Sequence, residues 1–117
     1  VWEASMAAAH YGLDNLTVIF DHNKMQIDGT NDEVMSLGDI GGKWRTFGYD
    51  VIEVADGNDI EQVLAALHAP ICPGKPRLIH LHTTKGKGVS FMEGQVGWHG
   101  KAPNAAETEA ALKELEA

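Results

Sequence analysis

Residues 16–20, LTVIF, form an unbroken run of β-forming residues. Such a run has no polar alternation. It predicts a strand buried on both faces, an arrangement confined almost entirely to parallel sheets covered by helices. The next nine residues, DHNKMQIDG at 21–29, suit neither a helix start nor a hairpin with alternating faces. They suit a loop that presents oxygen atoms, placed directly after a buried strand.

The remaining elements agree with a parallel sheet. Residues 1 to about 11 predict a helix with Trp2, Met6 and Ala9 on one side and Gly12 as its stop. Asp39 predicts a cap for a short helix carrying Ile40, Trp44 and Phe47, although Gly41 and Gly42 weaken it. YDVIEV at 49–54 reads as a second strand. Asn58 with Glu61 resembles a capping box, and Ile60, Val63, Leu64 and Leu67 repeat at helical spacing. RLIHLHT from residue 77 is a third strand. Residues 83–103 form a long Gly-rich loop, of the kind that is usually functional or disordered. Asn104 with Glu107 opens a final helix, with Leu112 and Leu115 on its apolar side and Glu109–Lys113 as an i,i+4 pair. Helix alternating with strand is the α/β pattern: a mainly parallel sheet flanked by helices.

Composition excludes several classes. The 117 residues carry a formal net charge of −8, which disfavours a nucleic-acid surface. No apolar run approaches the roughly 18 residues of a membrane span. Cys72 stands alone and makes no internal disulfide, as in a reducing cytoplasm. Val1 opens the chain without an initiator methionine or a helix cap, so we expect a piece of a longer polypeptide whose upstream part is missing.

In parallel sheets, ligands bind beyond the carboxyl ends of the strands. The loop at 21–29 follows the first strand and the loop from 83 follows the third, so Asn23 and His99 are expected on one side of the molecule. Asn23 offers a neutral amide oxygen. Such donors suit Mg²⁺ when another ligand, such as a diphosphate, balances its charge. On residue chemistry alone the simpler reading is a turn residue that bonds its own backbone. Lys85 and Lys87, among glycines in TTKGKG, can meet an anion or stay solvated. His80 and His82 lie two apart on a strand and face the same way. That spacing can serve zinc, which needs a third ligand, and none is evident nearby in the sequence.

DHNKMQIDG, TTKGKGVSFME and WHGKAPN together resemble the thiamine-diphosphate-binding domain of transketolases, particularly the N-terminal subunit of split forms. The resemblance covers essentially the whole chain. It implies a thiamine-diphosphate-binding fold, here incomplete, with residues 1–117 as the C-terminal part of the domain. It implies the cofactors thiamine diphosphate and Mg²⁺ (or Ca²⁺). Asn23 would give its side-chain oxygen and Met25 its backbone carbonyl to the metal. Ile27 would pack near the thiazolium ring, and His99 would contact the diphosphate and the reacting part of the sugar. Glu3 matches a glutamate linking active sites across a dimer. The family's Gly-Asp-Gly, which opens the metal signature, is not in the chain.

The implied activity is transfer of a two-carbon ketol unit between ketose and aldose sugar phosphates, as in the pentose phosphate pathway. The implied partners are a C-terminal transketolase subunit or domain within a homo- or hetero-oligomer. The glutamate that activates the cofactor in this family lies on another domain, so the chain alone is expected to be inactive. Trp2, Trp44 and Trp98 are expected to face partners or missing segments, and Val18 and Ile19 an open edge. The alternatives are a related thiamine-diphosphate enzyme, such as deoxyxylulose-phosphate synthase or an oxoacid dehydrogenase component, a non-catalytic α/β partner-binding module, or a zinc protein using His80 and His82.

Overall fold

The computed structural model describes residues 1–116. Its elements are α1 (Trp2–His10), β1 (Thr17–His22), β2 (Met25–Gln26), β3 (Gly29–Thr30), α2 (Asn31–Val34), α3 (Ile40–Thr46), β4 (Asp50–Val54), α4 (Ile60–Leu67), β5 (Arg77–His82), a 3₁₀ turn (Val96–Trp98) and α5 (Ala105–Leu115). They divide into two compact units. The first contains residues 1–22 and 37–82, and the second residues 23–36 and 83–116.

The first unit is built on a parallel sheet in the order β1-β5-β4. Val18, Phe20 and His22 stand level with Leu78, His80 and His82, while Val51 and Glu53 stand level with Leu78 and His80. Residues level across a parallel pair point to the same face, so these eight share one. On that face Leu78 packs with Ala8 of α1, Ile40 and Trp44 of α3, and Tyr49. On the opposite face Ile79, Leu81 and Val54 pack with Ala66, and Val63 joins them from α4. Helices on both faces are what a parallel sheet requires. Leu78 and Ile79, neighbours on the central strand, are therefore 0% and 1% exposed.

The strand expected to be buried on both faces is instead an edge strand. β1 alternates exposed and half-buried residues along its length, and Ile19 is 53% exposed. α4 packs on β4 and β5, on the side where Ile19 points. Val18, expected at the open edge, packs against the opposite core.

Helices α1, α3, α4 and α5 lie where the sequence predicts them, but the buried faces of α1, α4 and α5 differ. The buried positions are Ser5 and Ala8 in α1, Ala66 in α4 and Ala111 in α5. Met6, Ile60, Leu64, Leu67, Leu112 and Leu115 are exposed. Small residues allow a helix to approach its support closely, and the larger apolar side chains then fall on the outer side. Trp44 is buried in the core rather than facing a partner, and Trp2 lies against it at 6.1 Å between ring centroids.

The caps follow the sequence with one correction. Asp39 Oδ1 accepts from the Gly42 N–H at 2.8 Å. The cap of α4 is Asp59, accepting from the Glu61 N–H at 2.9 Å, not Asn58. The glycines that weaken α3 in the sequence have a structural reason. A Cβ on Gly42 would collide with the Asp39 carboxylate, and one on Gly41 with the Glu53 carboxylate and Arg45. Two carboxylates lie where alanine would have put methyl groups.

In the second unit, β2 and β3 form a small antiparallel pair. Thr30 and Glu33 make a capping box at α2, a short helix that the sequence does not separate from the loop. Asn104 and Glu107 make the expected one at α5. The loop from residue 83 is tied down by local contacts. Ser90 bonds Glu114 through its N–H at 2.5 Å and its hydroxyl at 2.8 Å. The Trp98 indole donates to the Phe91 carbonyl at 3.0 Å, and Lys101 sits 3.9 Å above the Trp98 ring. The Glu109–Lys113 pair forms at 2.7 Å on an exposed surface.

Candidate functional site

Asn23 begins where β1 ends, and Thr83 begins where β5 ends. β1 and β5 are parallel neighbours with His22 level with His82, and the two chain segments of the second unit follow these strands directly in sequence. This connectivity brings distant stretches of sequence into one unit. Asn23, Met25, Gln26 and Ile27 line a cavity of about 280 Å³ with Lys85, Val96 and His99. Four of the five sequence-predicted site residues therefore share one cavity.

The fifth, Glu3, belongs to the first unit. It lies exposed on the first turn of α1, 3.7 Å from the terminal amine. A larger hollow of about 850 Å³ in that unit has a mostly apolar wall that includes Met6, Ala7, Ala9 and Phe47. His10 and Lys75 also line it, but among the described residues it has no side-chain amide to set beside those of Asn23 and Gln26.

The loop at 21–29 has an internal logic. Asn23 Oδ1 accepts from the Met25 N–H at 2.9 Å. This is the short-range turn expected of asparagine, and it fixes the amide while leaving its oxygen a second lone pair. The left-handed residue is Lys24, with φ 62°, not Asn23. That conformation is uncommon outside glycine and costs about 1–2 kcal/mol, and such costs concentrate at functional loops. The Lys24 carbonyl accepts from the Asn31 N–H at 2.9 Å, which closes the loop.

Among the described residues, no carboxylate lines the cavity. Its polar lining is two amides, one ammonium and one imidazole. Neutral oxygens beside a cation suit a divalent ion only when an anionic ligand arrives with it, and Lys85 and His99 are donors for such an anion. The lining thus fits a metal–diphosphate pair better than a bare ion. In the sequence Lys85 is one of two equivalent loop lysines. The structure separates them, because Lys87 is paired with Glu93 at 3.4 Å and Lys85 borders the cavity.

A model of the family described as transketolase, thiamine diphosphate binding domain, matches residues 1–116. The chain belongs to the transketolase family. One of the subunits of the apulose-4-phosphate transketolase of Phocaeicola vulgatus is 44% identical over 116 residues, covering 98% of this chain and 41% of that protein. The 6-deoxy-6-sulfo-D-fructose transketolase subunit SqwG of a Clostridium species is 41% identical over 117 residues, covering 99% and 42%. Among solved structures, the transketolase of Pichia stipitis in complex with sedoheptulose 7-phosphate superposes with a TM-score of 0.87 at 31% identity. That match covers 97% of this chain and 17% of the other. The chain spans about two fifths of the length of these curated relatives. The transketolase structure also bears out the α/β class with a parallel sheet flanked by helices. Among the described residues, no helix is long and apolar enough to cross a membrane.

The fold also forms a grouping in the first unit that the sequence does not reveal. Along the chain His80 and His82 have no third partner, but in the structure His22 joins them, and one ring nitrogen from each lies within 4.8 Å of the others. The signal lies in the register, since a histidine ending one strand meets a histidine ending its neighbour only once the pairing is known.

Proposed function

We propose that this chain is the later part of a thiamine-diphosphate-binding domain in an enzyme that transfers a two-carbon ketol unit between sugar phosphates. The supporting observation is the shared cavity of Asn23, Met25, Ile27, Lys85 and His99. In this reading Asn23 through its amide oxygen and Met25 through its carbonyl hold Mg²⁺, or Ca²⁺ in its place. The chain contains no Gly-Asp-Gly, so its own metal ligands number two. Bound thiamine diphosphate would supply a carbanion nucleophile and an electron sink.

The protein's own residues bind and orient. Lys85 neutralises diphosphate charge. His99 donates a hydrogen bond from its imidazole N–H to a diphosphate oxygen or a substrate hydroxyl. Ile27, which is largely exposed, presents an apolar surface to the thiazolium ring. Glu3 contributes to carboxylate coupling between sites in the assembled oligomer. Homology to proteins that are named as single subunits of transketolases supports a partner polypeptide carrying the rest of the catalytic apparatus, without which the chain is inactive. The same reading puts the enzyme in the cytoplasm, acting on sugar phosphates as in the pentose phosphate pathway.

Calorimetry on the intact protein with Mg²⁺ and thiamine diphosphate tests the reading. Asn23→Ala is expected to weaken metal-dependent cofactor binding at least about tenfold, or roughly 1.4 kcal/mol. His99→Ala is expected to lower turnover from a ketose phosphate donor more than it lowers cofactor affinity. Cofactor affinity indifferent both to Mg²⁺ and to Asn23→Ala would remove the basis of the proposal.

A further inference from the structure

His22, His80, His82 and Glu53 stand on one face of the sheet at the carboxyl ends of its three strands. His22 Nδ1 lies 2.9 Å from His80 Nε2. The His80 and His82 ring centroids are 4.3 Å apart, and those of His22 and His80 are 5.1 Å apart and nearly parallel. Glu53 Oε2 lies 2.8 Å from His80 Nδ1 and 3.3 Å from His82 Nε2. His80 is 5% exposed. Its Nδ1 is close to Glu53 but not aligned for a hydrogen bond, so this buried nitrogen lacks a well-formed partner. Buried polar atoms without one are uncommon and call for an explanation.

We propose that His22, His80 and His82 form a binding site for a transition-metal dication of the Zn²⁺ class, separate in chemistry from the Mg²⁺ loop, with Glu53 orienting the rings. Three imidazoles are a sufficient protein set for zinc, with an open fourth position. A tetrahedral ion with Zn–N of about 2.0–2.1 Å holds its donor atoms roughly 3.3 Å apart. The present spacings bracket that value, so small ring rotations complete the site.

The roles of the two His80 nitrogens also divide well. Nε2 faces His22 and would ligate, while Nδ1 faces Glu53 and would donate to it. A carboxylate that fixes the non-ligating nitrogen is the usual support of a metal-bound histidine. Glu53 is itself held, because Arg45 Nη2 donates to its Oε1 at 3.3 Å and Gly41 leaves room for that oxygen. Burial, outweighing the nearby Glu53 carboxylate, pushes the His80 pKa down from 6.5, which favours the neutral form that ligates. Imidazole donors suit zinc, copper or nickel and not magnesium, so the two cations would not compete.

The test is Zn²⁺ titration of the intact protein by calorimetry, without thiamine diphosphate and with saturating Mg²⁺. One equivalent of Zn²⁺ is expected to bind, and Co²⁺ in its place should show the visible ligand-field bands of a tetrahedral site. His82→Gln, at a half-exposed position that tolerates the change, and His22→Gln should each weaken binding at least about tenfold. Glu53→Gln should weaken it about 10–100-fold. His68→Gln, outside the cluster, should bind Zn²⁺ as the parent does. The proposal is overturned if no zinc binds to the folded protein, if His22→Gln and His82→Gln bind it unchanged, or if His68→Gln abolishes binding. Because no readout involves cofactor or turnover, failure of this site is distinguishable from failure of the cofactor reading.

Discussion

Replacing Arg77 with methionine should destabilise the first unit by about 3 kcal/mol. Arg77 opens the central strand and is 7% exposed. Its Nε and Nη2 donate to Asp50 Oδ2 at 2.9 and 2.8 Å, and its Nη1 donates to the Ala69 carbonyl at 2.8 Å. Nη2 also donates to the Pro70 carbonyl. One guanidinium thus ties β5 to β4 and to the chain leaving α4. Methionine keeps much of the volume and removes every donor. Stripping one partner from a buried ion pair costs about 3–5 kcal/mol. The Asp50 side chain is 29% exposed, so water reaches the stranded carboxylate and the cost falls at the low end. Asp50→Asn keeps an acceptor and loses only the charge. It should cost about 1 kcal/mol, the difference between charged and neutral hydrogen bonds. Urea denaturation of the intact protein measures both. With slopes of about 1–3 kcal/mol/M, Arg77→Met should lower the midpoint by roughly 1–3 M. A loss below about 1 kcal/mol, equal to that of Asp50→Asn, would place the pair among solvated surface bridges and refute the reasoning.

Ile79→Ala removes a side chain 1% exposed from the core that α4 covers. It should cost about 2–5 kcal/mol in the same denaturation experiment. Glu107 closes the capping box of α5, and the N–H of Asn104, with help from Lys101, holds its carboxylate pKa below the usual 4.5. With a folded pKa below the unfolded one, its contribution is present above pH 4.5 and is lost as pH falls through the lowered folded value. Carboxyl-carbon NMR titration should give a midpoint below 4.5 that Lys101→Met raises. A midpoint at or above 4.5 would count against the capping box in solution.

Local chemistry carried much of the structure. Asp39 and the Asn104–Glu107 pair named their helix starts because a cap needs only neighbours within four residues. The β-forming runs named their strands for the same reason. The stretches at 21–29 and from residue 83 stood out because each directly follows a β-forming run.

Burial was less legible. The large apolar residues of α1, α4 and α5 marked helical periods but not the contact face, since Ser5, Ala8, Ala66 and Ala111 are small enough to lie closest to their supports. Helical spacing gives a direction around an axis, whereas burial depends on what stands opposite.

By itself, then, the sequence determined where β1, β4, β5 and the helices α1, α3, α4 and α5 lie, the starts of α3 and α5, and the polar stretch that carries Asn23. Tertiary structure alone decided that β1 is an edge strand, that Gly41 leaves room for Glu53, and that His22 meets His80 and His82. All three depend on tertiary packing, and the histidine grouping depends on strand register that joins residues nearly sixty positions apart. No window along the chain contains both members of such a pair.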